Sequence, residues 1–459
     1  MDQKSFEGFF PGMSIGDALG APAQGLKPVR VNQLFGRLAD FQEPDKAFEH
    51  SPNNWRLKGL YSFPTQQALA VAESLILLNA YDLNNIYESL RSLYTEQGGV
   101  YRGMDEVFRK VMDSRAVGDP PLSPGLCHPG IGNISRCLPF ALYFKNNEED
   151  LRRAILETCL LTNNDPRAIA GAAVCVRAAS LLACDPDRPV HDPLELLENL
   201  RRFTRKSEEY LQDHYGQHLC TDLPISLYYA MSDSLDILPL CLKEKNRELV
   251  KLTILTEANR HQPPFTISVL NQDFAPSGVC YILYTLLTSR TFGMGIMDII
   301  NEGKESRAMG SLIGGLLGLR FGSSGMPEDW LSQIKGLNQL ILRGRELYEG
   351  YPDWNERRDL ALMEREFTEK ENEEIDIRRQ ALLRDREKEE KRHPPRIKQA
   401  STINAKLPPQ EEAPFAPPPS IVYGGNLPDP LQAKKDKALR GRKRIEWKED
   451  RRKKKKEEK

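Results

Sequence analysis

The chain has 459 residues, 40% of them hydrophobic, which is room for a packed core in one large domain or two of ordinary size. Its formal net charge of -1 conceals a polarity: residues 432–459 hold fifteen Lys and Arg against six Asp and Glu, so the rest of the chain is acidic. No run of about 18 uncharged apolar residues occurs and the first residues lack a signal pattern, so no membrane span is expected and a cytoplasmic location is.

In chain order, the first distinctive segment is Gly12-Met13-Ser14-Ile15-Gly16-Asp17-Ala18-Leu19-Gly20-Ala21-Pro22. Next, Ala68, Leu69, Ala72, Leu75 and Ile76 recur at helical spacing after a turn expected at Phe63-Pro64, and Asn79 should end that helix. Asp165-Pro166-Arg167 has a cap residue followed by proline at the first helical position, so a helix should run from Ala168 to about Ala183. Its Ala and Gly content predicts close packing. Between Ala308 and Leu319, Gly310, Gly314 and Gly318 repeat every four residues on one helix face. Each costs about 0.5–1 kcal/mol relative to alanine, so near contact with another backbone is expected to compensate. Convincing β alternation is scarce, and the fold class read from these patterns is all-α.

After Tyr351-Pro352 the character changes. Residues 1–350 are expected to form one helical domain, and 351–393 a charged helical extension. Its apolar patch of Leu360, Met363 and Phe367 lapses, which predicts a single solvated helix and not a coiled coil. Residues 394–431 read as a Pro-rich linker and 432–459 as a basic low-complexity tail, both without the means to build a core. The tail's charge suits an acidic protein or nucleic-acid partner. Only Trp447 is available for base stacking, so no specific readout is expected.

Eight cysteines, Cys127, Cys137, Cys159, Cys175, Cys184, Cys220, Cys241 and Cys280, contain no Cys-x-x-Cys pair and are expected to be thiols in a reducing compartment, not a disulfide frame or zinc site. Cys137 reads as a buried thiol and not a nucleophile. His128 reads as a solvated loop residue, and His214 with His218 as part of a surface helix without a third ligand.

The opening segment, Leu160-Leu161-Thr162-Asn163-Asn164-Asp165-Pro166-Arg167-Ala168, Phe274-Ala275-Pro276-Ser277-Gly278-Val279 and Gly314-Gly315-Leu316-Leu317-Gly318-Leu319-Arg320-Phe321-Gly322 together resemble the ADP-ribosylglycohydrolase family over residues 8–345. The resemblance implies an all-α, ADP-ribosylglycohydrolase-like domain whose cleft holds two Mg²⁺ or Mn²⁺ ions in active relatives. Those ions bind ribose hydroxyls and orient a water that cleaves the glycosidic bond of ADP-ribosylated targets. Such ions demand oxygen ligands and nearby negative charge.

By that resemblance the family's Thr-Asp-Asp run falls on Ser62-Phe63-Pro64, its Asp-x-Asp-Thr run on Glu305-Ser306-Arg307-Ala308, and an early acid on Gln24. Ligating oxygens are lost at Phe63 and Pro64, and a cation replaces a carboxylate at Arg307. Asn163 stands where relatives commonly place histidine. The expectation is therefore a catalytically inactive member with no metal cofactor, acting as a binding or scaffold module, with ADP-ribose or a nucleotide as ligand. Asp17, Gln24, Ser62, Asn133, Asn163, Glu305, Ser306 and Arg307 are the cleft candidates, with Arg307 paired to Glu305 or Asp17; Asp17 reads equally as a helix-cap or turn residue beside Gly16. The alternative is an active hydrolase with a site rebuilt on Glu305 and Asp17.

Overall fold

The computed structural model describes residues 2–43, 56–95, 99–116, 118–144 and 147–392; the expected Pro-rich linker and basic tail lie outside them. Among the described residues there is no strand, and two isolated bridges, Gln24 with Lys304 and Leu126 with Asn163, are the β pairings.

Ten helices matter to the site. They are α1 (Gln3–Gly20), α2 (Phe63–Leu78), α3 (Glu148–Leu160), α4 (Pro166–Cys184), α5 (Pro193–Tyr215), α6 (Ala275–Thr288), α7 (Phe292–Ile300), α8 (Ser306–Phe321), α9 (Leu337–Glu349) and α10 (Leu360–Arg392). α4 begins as its sequence predicts: Asp165 accepts a hydrogen bond from the Arg167 amide, and Pro166 opens the first turn. It is long and apolar enough by composition to cross a membrane, which the reading of apolar runs did not anticipate. However, 94% of its apolar window is buried inside the helical body, where it packs against α3, α5, α6 and α8.

The centre of the fold is the antiparallel contact of α1 with α8. The three glycines of α8 meet a matching row on α1. A Cβ on Gly310 would lie 2.2 Å from the Gly16 carbonyl oxygen, one on Gly314 2.1 Å from that of Gly12, and one on Gly318 2.3 Å from that of Gly8. Real side chains never approach so closely, so each position admits only hydrogen. The helix cost of these glycines is offset by continuous backbone-to-backbone contact. Phe6, Phe9, Phe10 and Met13 of α1 are fully buried and carry the core away from this seam.

Two local expectations change. Phe63-Pro64 is not a turn before α2 but its first turn, with proline where a missing N–H costs nothing. Asn79 does end the helix, in the left-handed conformation with φ 46°. The helix expected beyond residue 351 is present as α10, but its first turns are not solvated: Leu360, Met363, Glu364 and Glu371 are buried. Glu364 accepts from Arg102 Nη2 at 2.7 Å, Tyr61 Oη at 2.6 Å and Gln66 Nε2 at 2.7 Å. A buried carboxylate with a guanidinium and two further donors is fully satisfied, which a bare buried ion pair is not.

Candidate functional site

α8 delivers its N-terminus to a cleft of about 220 Å³, whose wall includes Gln24, Phe63, Pro64, Asp105, Asp273, Glu305 and Arg307. Glu305 is the residue before α8, and Arg307 lies in its first turn. The segment after α1 reaches the same wall because Gly25 N bonds Lys304 O at 2.8 Å and Lys304 N bonds Leu26 O at 2.7 Å. Gln24 then bridges the two site residues. Its Nε2 donates to Glu305 Oε2 at 2.8 Å, and its Oε1 accepts from the Arg307 amide at 3.1 Å.

Arg307 runs beneath Gly103. A Cβ on Gly103 would lie 1.7 Å from Arg307 Nη1 and 2.2 Å from Arg56 Nη2, so both guanidinium groups would have to shift, and φ there is 61°, which favours glycine. Two guanidinium groups in such proximity need compensating charge. Glu371 of α10 provides part of it, 3.4 Å from Arg56 Nη1. Asp17, Glu305, Glu371 and Asp105 all favour the charged form of Arg307, although enclosure pulls its pKa down. The expected pairing partners, Glu305 and Asp17, are therefore electrostatic neighbours, and among the described residues neither forms a direct ion pair with Arg307.

The remaining candidates divide cleanly. Asp17 is wholly buried inside α1 and does not line the cleft. Its carboxylate accepts from Ser62 N at 2.9 Å, Ser62 Oγ at 2.6 Å, Thr65 N at 3.3 Å and Thr65 Oγ1 at 2.8 Å. It thereby caps α2 from another helix, where negative charge is favoured. Burial nonetheless raises its pKa against those bonds. Ser62 is spent on that cap, and Ser306 Oγ donates to Gly20 O at 2.7 Å in the α1–α8 seam. Asn163 Nδ2 donates to His128 O at 3.2 Å, outside the cleft lining. Asn133 is buried behind the wall, and both its side-chain polar atoms lack a partner among the described residues.

Sequence reasoning missed two carboxylates. Asp105 caps the helix Glu106–Ser114, accepting from Phe108 N at 2.9 Å, and its other oxygen lies against Gly132. Asp273 accepts from Ile131 N at 2.9 Å and sits 3.6 Å from His128 Nε2. Enclosure and then Asp105 push Asp273 upward, and enclosure and then Asp273 do the same to Glu305. Asp105 looks like an ordinary helix cap in the sequence. Asp273 could have been noticed only because it immediately precedes the Phe274-Ala275-Pro276 motif.

Asp105, Asp273 and Glu305 bring three carboxyls to this lining, but the other positions withhold ligands from a pair of divalent ions. Phe63 and Pro64 offer no oxygen, Gln24 is neutral with both polar atoms engaged, and Arg307 places a cation in the wall. At about 5 Å and an effective dielectric near 20, a guanidinium repels each unit of metal charge by roughly 3 kcal/mol. A larger cavity of about 450 Å³ lies elsewhere, beside Arg247, Tyr281, Asp298 and Glu302. Its charges pair with one another, as Arg247 does with Asp298 at 2.7 Å and Lys251 with Glu302 at 2.7 Å.

The other cysteine and histidine readings are altered at two points. Cys127 and Cys220 form a disulfide, contrary to the expectation of thiols throughout; their 93-residue separation hid a proximity that only the fold creates. Cys137 is buried against Cys159, and burial holds its thiol well above the usual range, as expected for a non-nucleophile. His214 stacks on Tyr210 in α5, while His218 follows in a separate short turn, so they do not share one helix face.

Comparison with known proteins agrees with this architecture. Residues 2–365 match the family model described as ADP-ribosylglycohydrolase. The chain is 22% identical over 333 residues to the ADP-ribosyl-[dinitrogen reductase] glycohydrolase of Rhodospirillum rubrum, covering 71% of this chain and 89% of that one. It is 21% identical over 350 residues to an uncharacterized protein of Archaeoglobus fulgidus, covering 76% and 97%. A solved structure titled ADP-ribosylglycohydrolase-related protein complex superposes with a TM-score of 0.52 at 20% identity, over 76% of this chain and 98% of that one.

Proposed function

This chain belongs to the ADP-ribosylglycohydrolase family, and from that premise we propose that it is a non-hydrolytic member, a binding or scaffold module whose cleft retains a nucleotide-sized ligand such as ADP-ribose without cleaving it. The observation that carries this reading is Arg307. Its guanidinium enters the wall at a position where the resemblance places a metal-ligating carboxylate, and Phe63 and Pro64, which stand for two more, line the same cleft. The chemistry of the family rests on two cations that polarise the ribose and its attacking water, and a guanidinium with two non-ligating side chains in the wall opposes their binding even beside Asp105, Asp273 and Glu305. A guanidinium instead suits a ligand's phosphate or hydroxyl oxygens.

Titration calorimetry of the full chain with ADP-ribose and, separately, with millimolar Mg²⁺ or Mn²⁺ tests the reading, alongside turnover of ADP-ribosyl-arginine and ADP-ribosyl-serine. Heat from ADP-ribose, none from either metal, and no product are expected. Turnover that disappears in Glu305→Gln would instead establish the alternative, a rebuilt hydrolase. A specific observation favours that rival: Glu305 and Asp273 share the cleft with carboxyls raised toward neutral pH, as an acid–base pair requires. Asp17, committed to the α2 cap, is not available to it. Absence of any nucleotide binding would leave scaffolding. The same reading gives the basic segment 432–459 the task of holding an acidic protein or nucleic acid near the domain.

A further inference from the structure

We propose that the Cys127–Cys220 disulfide is a redox latch on the cleft wall, opened by a cellular dithiol. Cys127 is an exposed residue and Cys220 a buried one, so the bond is approached from the Cys127 side. Cys127 also begins the loop that builds one side of the cleft. Within five residues of it, Gly130 N donates to His128 Nδ1 at 3.2 Å, Ile131 N donates to Asp273 Oδ1 at 2.9 Å, and Gly132 reaches the cleft lining. Ala275 N donates to Pro129 O at 2.8 Å, which ties the start of α6 to the same loop. Asp273 thus depends on this loop for its position. The loop's outer end is held by the disulfide and by the short bridge of Leu126 with Asn163.

The step balances without any component beyond the dithiol. A thiolate of the dithiol attacks the Cys127 sulfur. The S–S bond breaks, and Cys220 departs as a thiolate that takes up a proton. The Cys220 sulfur lies 3.2 Å from both Asn164 O and Asn164 Oδ1 in the oxidised chain, so the resulting thiol has acceptors at hand. The second thiol of the reagent then displaces Cys127 as a thiol, and the reagent leaves as its own disulfide. The two electrons come from the dithiol. Reduction removes a crosslink between residues 93 positions apart and leaves the loop's outer end held by hydrogen bonds, with the buried Ile131 anchoring its inner end.

A metal is a poor rival occupant for the opened pair. Asp165, the one carboxylate within reach of both sulfurs among the described residues, is already held by Arg167, Nη2 to Oδ2 at 2.7 Å.

Hydrogen exchange of the full chain, oxidised and after dithiothreitol, reads the latch without any cleft ligand. Amides of Gly130, Ile131 and Ala275 should exchange about tenfold faster in the reduced protein, and the amides of α1 should not change. The double variant C127S/C220S should match the reduced protein with or without the reagent. Equal exchange in the two states, or alkylation of both cysteines in protein purified without reductant, would overturn the proposal. Neither result bears on whether ADP-ribose binds, so failure here is separable from failure of the functional reading.

Discussion

Arg307 decides the chemistry of the cleft because it is one cation among Asp105, Asp273 and Glu305. Replacing it by methionine leaves those carboxylates facing one another without compensation. Arg307→Met should lose about 2 kcal/mol of stability in urea unfolding, and millimolar Mg²⁺ should restore part of the loss, which it does not do for the unaltered chain. A second residue-scale consequence lies away from the cleft. Glu208 of α5 is buried, accepts hydrogen bonds from Ser232 N and Oγ, and is pushed up by burial to about 8 from its ordinary 4.5. The folded state therefore favours the neutral acid. The stability this confers is full below pH 4.5 and declines as pH rises toward about 8, where the folded group ionises too. Glu208→Gln should flatten that decline, visible as a denaturation midpoint that barely moves between mildly acidic and neutral buffer.

At the scale of elements, α1 and α8 are held by a seam in which no side chain fits. A methyl group on Gly314 would overlap the Gly12 carbonyl at 2.1 Å, and neither backbone can retreat without opening the seam at Gly310 and Gly318. Gly314→Ala should cost about 3 kcal/mol or more, despite alanine's better helix propensity, and the thermal midpoint should fall accordingly. The same seam fixes the cleft, since Glu305 and Arg307 stand at one end of α8 and Gln24 just beyond the end of α1. α10 contributes at this scale also. Through Glu364 on Arg102 and Glu371 on Arg56 it secures the strip containing Gly103, beneath which Arg307 lies. The family match ends at residue 365, so Glu371 is a support supplied from outside the matched region.

Across the whole molecule, an acidic helical body and a basic terminal segment form a polarised chain. If 432–459 engages a polyanion, binding to heparin or duplex DNA should weaken steeply as salt rises, and a chain truncated at 431 should lose that dependence while its thermal midpoint stays within a degree or two. Much of the architecture was readable beforehand. The four-residue glycine spacing, the Asp165-Pro166 helix start and the order of motifs all depend on short stretches of chain, where local geometry follows from local sequence. So does the resemblance that sets Phe63, Pro64, Gln24 and Arg307 at the family's ligand positions. What only the tertiary structure decided is which distant groups meet. Asp17 met the start of α2 as its cap, Asp105 and Asp273 joined Glu305 in one cleft, Cys127 reached Cys220, and α10 docked through buried carboxylates. Residue type states what a side chain can bond, but loops spanning tens to hundreds of residues determine what stands within bonding distance, and no local pattern encodes that path.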